Sequence, residues 1–173
     1  SIISNVGFSC KSEFAHKATL FNASKDNTNF RYELLNMNDE KMEAVNSLFT
    51  PKRKRDGTIK YNIAVADRMK YLKDNGVEIL FDRQIKENAE RNVVLSCGVE
   101  MPAILASILQ YYYWNNNAET AHSSFSEAID YLVESNPANY SFTNIESIYR
   151  AKVGKLLYDM FTGMRLGTLW DGR

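Results

Sequence analysis

Thr143-Asn144-Ile145-Glu146-Ser147-Ile148-Tyr149-Arg150-Ala151-Lys152-Val153-Gly154-Lys155-Leu156-Leu157-Tyr158-Asp159-Met160-Phe161 is the stretch on which the fold turns. Its apolar residues, from Ile145 through Tyr149, Val153 and Leu156 to Met160, recur at helical spacing, so one stripe of the segment has to be buried. Thr143 and Glu146 have the spacing of a capping box, and Gly163 supplies a stop. Helices draw most of their stability from packing an apolar face, so this one requires neighbours to cover it.

Working outward, Ser124-Phe125-Ser126-Glu127 is a second capping box, followed by Phe125, Ala128, Ile129, Leu132 and Val133 on one face. Pro102 suits the first turn of a helix through Trp114. That segment, Ala103-Ile104-Leu105-Ala106-Ser107-Ile108-Leu109-Gln110-Tyr111-Tyr112-Tyr113-Trp114, is apolar on nearly every side, as expected of a central or interface helix. Further helices are predicted over 38–49, opened by Asn38, over 61–75, closed by Gly76, and over 82–95, with Ile85, Ala89 and Val93 inward. Val77-Glu78-Ile79-Leu80-Phe81 reads as a short strand. Nearer the start, Phe14–Phe21 and Phe30–Leu34 flank the turn formers Ser24–Asn29, which predicts a β-hairpin over about 13–35. The expected fold is mainly α: a bundle of five to six helices with a small N-terminal hairpin, in one domain over 1–163. Residues 164–173 form a short apolar C-terminal arm.

With 173 residues, such a chain buries enough surface to fold without disulfide or metal. Cys10 and Cys97 form no CxxC pair. No apolar run approaches the ~18 residues of a membrane helix, and the first residues lack the basic-then-apolar layout of a secretion signal. The expected location is cytoplasmic or virion-associated, not secreted, with no membrane partner.

The 21 basic and 21 acidic residues cancel, but they are not mixed. Lys and Arg are absent from 92 to 149, whereas 50–73 carries eight cations against two acids. Pro51-Lys52-Arg53-Lys54-Arg55-Asp56-Gly57 is the densest cluster, with Lys60 close behind. Adjacent cations repel, and nucleic-acid phosphate would offset that repulsion with a strongly salt-dependent affinity. A solvated loop between two helices, or pairing with the acidic segment of the same or another copy, reads the same way. Because a loop positions phosphate and does not read bases, no sequence specificity is expected of it.

Candidates for chemistry are few. The eight glycines make no phosphate-cradling motif, and neither His16 nor His122 lies in a nucleophile signature. Glu119 and His122 have the ExxH spacing of di-iron bundles, with Glu127 and Asp130 nearby, but the second half of that motif is missing. No catalytic residue, metal ligand or cofactor is therefore assigned. Tyr111 to Trp114 could stack on bases but is read as packing, having no nearby cation. Leu166, Leu169 and Trp170 in the C-terminal arm are assigned as partner-binding residues, since such arms dock into grooves on a partner or another copy; folding back over the chain's own bundle is the alternative. The residues favour a non-catalytic assembly or adaptor protein acting as a homo-oligomer or within a larger complex. Abundant Asn and Tyr with only 3 prolines point to an AT-rich genome, which fits phages and viruses but also many bacteria and protists; the assembly reading takes the viral or phage-like option. The alternative is a small nucleic-acid-binding or regulatory protein contacting phosphate through 52–60.

Overall fold

The computed structural model describes residues 29–48, 50–62, 65–115 and 124–171. Along the chain these form β1 (Phe30–Leu35), α1 (Asp39–Ser47), β2 (Thr50–Arg53), β3 (Ile59–Asn62), α2 (Val65–Asp74) and β4 (Glu78–Gln84). Then follow α3 (Glu87–Cys97), α4 (Met101–Asn115), α5 (Phe125–Ser135) and α6 (Ile145–Phe161). The protein is mainly α, as the periodicity predicted.

Capping chemistry sets the helix starts. Asn38 accepts from Lys41 N at 2.8 Å to open α1. Ser124 and Glu127 exchange both bonds of a capping box at α5, at 2.7 and 3.2 Å. At α6 the cap is one residue later than the sequence suggested: Asn144, not Thr143, accepts from Ser147 N at 3.2 Å. Between α3 and α4 the chain turns by 107° at Gly98. Gly98 holds φ +99, and a Cβ there would meet Glu100 Oε2 at 3.0 Å and Lys152 Nζ at 3.2 Å. Only glycine fits that turn without displacing its neighbours.

Helix α4 is central. Met101, Ile104 and Ala106 are fully buried, and α2, α3, α5 and β4 all pack on it. One core joins α3, α4, α5 and α6, with Tyr149, Ile129, Leu132 and Leu156 fully enclosed. A smaller core joins Val45 of α1, Leu72 of α2 and Val77 and Ile79 at β4. Tyr32 on β1 ties the two together by donating to the Ala106 carbonyl at 2.9 Å, and burial pushes its phenol well above its ordinary pKa. Tyr111 to Trp114 serve packing: Tyr111 and Trp114 lie against Tyr131 at 5.1 and 6.3 Å between ring centroids.

Three expectations change. Phe30–Leu34 is a strand, but among the described residues β1 pairs antiparallel with β4, Phe30 opposite Gln84 and Leu35 opposite Glu78. The other half of the expected hairpin, 14–21, lies outside the described residues. Residues 82–84 extend β4 and do not start a helix; Ile85, expected inward, is exposed. Its amide instead closes the ladder by donating to Asn29 O at 2.8 Å. The segment 50–60, read as a loop, and residues 61–62, expected to open a helix, form a second antiparallel pair, β2 with β3. No single helix among the described residues is long and apolar enough to cross a membrane.

The C-terminal segment folds back over its own bundle. Met164 and Leu166 belong to the main core. Asn92, fully buried on α3, holds the segment in place. Its side-chain N–H bonds are shared among the carbonyls of Arg165, Leu166 and Thr168 at 3.0, 3.1 and 2.7 Å. Its Oδ1 accepts from Trp170 N at 3.3 Å, and Arg91 adds a bond to the Trp170 carbonyl at 2.7 Å. Removing such a hub strands several buried polar groups at once. Asn92→Ala should therefore cost about 2–3 kcal/mol. Asn92→Asp should cost more, because a carboxylate cannot donate to three carbonyl oxygens. Urea unfolding of both variants checks this; an Asp variant as stable as wild type would show that the amide donors carry none of the stability.

Candidate nucleic-acid interface

The sequence Lys54-Arg55-Asp56-Gly57-Thr58 turns the chain between β2 and β3. Lys54 N donates to Thr58 O at 2.8 Å, and Gly57 N donates to Lys54 O at 3.0 Å. Gly57 takes φ +82 with nothing within 4 Å of the Cβ position, so strain and not crowding selects glycine there. The result is a three-residue hairpin loop, Arg55-Asp56-Gly57, of the kind with glycine in the left-handed position. Asp56 locks it. Its Oδ1 accepts from the Thr58 hydroxyl at 2.6 Å and from the Thr58 amide at 2.9 Å. Those two bonds, hydroxyl first, hold the Asp56 carboxyl below the usual carboxylate range.

From this turn the ladder runs back with Arg53 opposite Ile59, Lys52 opposite Lys60, Pro51 opposite Tyr61 and Thr50 opposite Asn62. Successive residues of a strand alternate faces, so Arg53 and Ile59, cross-strand partners, share one face of the ribbon. The structure thus brings the five predicted basic residues onto one hairpin. Arg53, Lys54 and Arg55 are exposed. Like charges directly opposite one another weaken a ladder, and the register sets two lysines in that relation.

Elsewhere most cations are engaged. Arg31 and Arg83 share Asp82, both at 3.2 Å; Lys70 meets Asp74 at 2.8 Å; Arg150 meets Glu146 at 2.7 Å. Lys152 reaches Glu100 at 3.4 Å, Lys155 pairs with buried Asp159, and Lys73 lies 5.4 Å above the Trp114 ring. No carboxylate among the described residues pairs with Arg53, Lys54 or Arg55. The pairing with the acidic segment of the same chain that the sequence left open is not made there: Glu127, Asp130 and Glu134 lie exposed on α5. Sequence reading located the cations but missed what shapes them, although Asp56-Gly57 is a turn signal.

The other assigned residues have a different setting. Leu166 is buried in the chain's own core, Trp170 packs against it, and Leu169 is 67% exposed. Of the three, Leu169 keeps its apolar surface open. Glu119, His122, His16 and Cys10 lie outside the described residues, and among those described no three His, Cys, Asp or Glu side chains converge to hold a metal ion.

Because the folded-state pKa of Asp56 is depressed, its support of the turn is present above about pH 4 and is lost as pH falls through the folded value. Thr58 amide exchange should accordingly speed up on going from about pH 6 to about pH 3, after correction for intrinsic rates. Asp56→Asn, which keeps an acceptor, should abolish that dependence, and Asp56→Ala should leave the amide unprotected at both. Equal protection of wild type at both pH values would count against the lock.

Residues 1–173 match the family model described as HpaII restriction endonuclease. The type II restriction enzyme HpaII of Haemophilus parainfluenzae is 28% identical over 172 residues, covering 99% of this chain and 42% of that protein. The chain thus spans less than half the length of the curated relative it matches, and no solved structure matches it. These likenesses overturn the expectation of a non-catalytic assembly or adaptor protein of viral or phage-like type, and virion association loses its support with it. Two of the features that prompted the assembly reading are used up inside the chain: α4 is apolar all round because four elements cover it, and the arm closes over α3 and the main core. Matched over its whole length, the chain belongs to the HpaII restriction endonuclease family.

Proposed function

We infer that the chain forms part of a DNA-cleaving restriction endonuclease, and that hairpin β2–β3 binds the phosphate backbone of its duplex substrate. The observation that carries this reading is the family match along the whole chain. The hairpin is the site best suited to a polyanion: Lys52, Arg53, Lys54, Arg55 and Lys60 lie within one short ribbon, and no carboxylate among the described residues pairs with the exposed cations at its end. Duplex DNA carries one charge per ~1.7 Å of axis, so several phosphates fall within reach of such a cluster. The described residues present no metal-holding group, so no step of hydrolysis is assigned to them.

Binding of this kind releases counterions. Anisotropy titrations of a labelled duplex should give log K falling linearly with log salt. Replacing Lys52, Arg53, Lys54 and Arg55 together by Ala should make that slope shallower, by ~0.9 for each phosphate no longer neutralised. Thermal stability should barely change, since Arg53, Lys54 and Arg55 are exposed and make no ion pair among the described residues. Failure of the wild-type protein to bind duplex at low salt, or an unchanged slope in the quadruple variant, would sink the reading.

A further inference from the structure

A loop of cations can grip phosphate wherever it lies, but a two-stranded ribbon has a definite shape. Strands β2 and β3 each contribute four residues, about 14 Å of extended chain, capped by the three-residue loop. The major groove of duplex DNA is ~12 Å wide and ~8.5 Å deep and admits a two-stranded ribbon. Among the described residues β2 and β3 pair with each other and pack substantially on no other element.

Its outer end is not built as a pure phosphate clamp. Arg53 is cross-strand partner to Ile59, which is 55% exposed. A β-branched apolar side chain contributes nothing to a phosphate, whereas the floor of the major groove offers apolar methyl groups beside hydrogen-bonding edges. Asp56 stands at the very tip, its carboxylate bonded to Thr58. A carboxylate there repels phosphate, but it suits base edges, which present donors as well as acceptors. Donor, acceptor and apolar groups are thus gathered at one end of the ribbon, on a turn rigidified by its own hydrogen bonds.

We propose that hairpin β2–β3 enters the major groove of duplex DNA and that Arg53 and Arg55 at its end discriminate base sequence, while Lys52 and Lys60 position the ribbon on the backbone. This rests on the DNA-binding reading above and adds a specificity role to it. Arginine can fork onto a base edge with two parallel bonds; lysine keeps the charge but not the fork. The test is therefore Arg53→Lys and Arg55→Lys, singly and together, in the intact protein. Each is assayed on the duplex selected from a randomised pool by wild type and on all its single-base-pair substitutions. The expected result is an unchanged salt slope and melting temperature. Discrimination at one or two base-pair positions should fall by about 10- to 100-fold. Discrimination left intact by both changes overturns the base-reading role and leaves phosphate binding standing. A wild-type protein that binds duplex without preference does the same. No duplex binding at all overturns both.

Discussion

Helix α4 has no polar side, and that constraint organises the molecule. A helix of this kind left in contact with water would expose a continuous apolar surface, and the hydrophobic effect penalises it by about 25 cal/mol for each Å². The chain answers by laying α2, α3, α5 and β4 around it. Ile104 and Ala106 are inaccessible to solvent as a result. The two cores meet at this helix: one face belongs to the α3–α5–α6 cluster, and its far end, through Trp114, reaches the smaller cluster beneath β4. Tyr32, donating to the Ala106 carbonyl, fixes the β1–β4 pair over it.

Covering α4 creates a second problem, because the elements that cover it bring polar groups along. The solutions are local. Asn92 sits where the returning C-terminal segment presents three carbonyls and an amide, and one side-chain amide meets all four. Asp159, buried on α6, accepts from Ser96 at 2.5 Å and from Lys155. Buried polar groups cost stability unless they are paired. These two, on facing elements, therefore specify how α3, α6 and the last residues fit together, beyond what apolar contact dictates.

How much of this could be read from the sequence follows from the range of each signal. The helices were legible because periodicity and caps are local: Ile129, Leu132, Val153 and Leu156 fell where the 3.6-residue repeat put them. Strand partners were not, since pairing is a long-range choice; β1 found β4 some fifty residues later. The hairpin at 50–62 was missed because a turn such as Asp56-Gly57 signals a hairpin most strongly between alternating apolar residues, and here the flanks are charged. The basic residues themselves were plain. That they form a ribbon with a rigid end was not, because that depends on a side chain bonding two residues onward. The arm misled for a related reason: an apolar tail reads alike whether it docks on a partner or on itself, and only buried Asn92 decides. Family membership was invisible to a search for glycine loops and nucleophile signatures because it is carried by 28% identity spread over the chain and not by such a motif.

The hairpin itself sits at the edge of what water allows. Two strands alone are marginal, and the register of this pair opposes Lys52 to Lys60. The turn is what it has: Asp56 contributes two hydrogen bonds at no cost in burial, and Gly57 removes the strain of the left-handed residue. Those two bonds fix the turn at its tip. An anion that neutralises the lysines would remove the one repulsion in the ladder, so order in the strands and occupation by a polyanion should reinforce each other, each supplying part of what the other lacks. The distribution of acids fits the same logic. Carboxylates pair with cations across the helical body, and those on α5 face solvent, yet none among the described residues is placed to quench the end of the ribbon. A zero net charge therefore coexists with an exposed cationic turn that no described carboxylate neutralises.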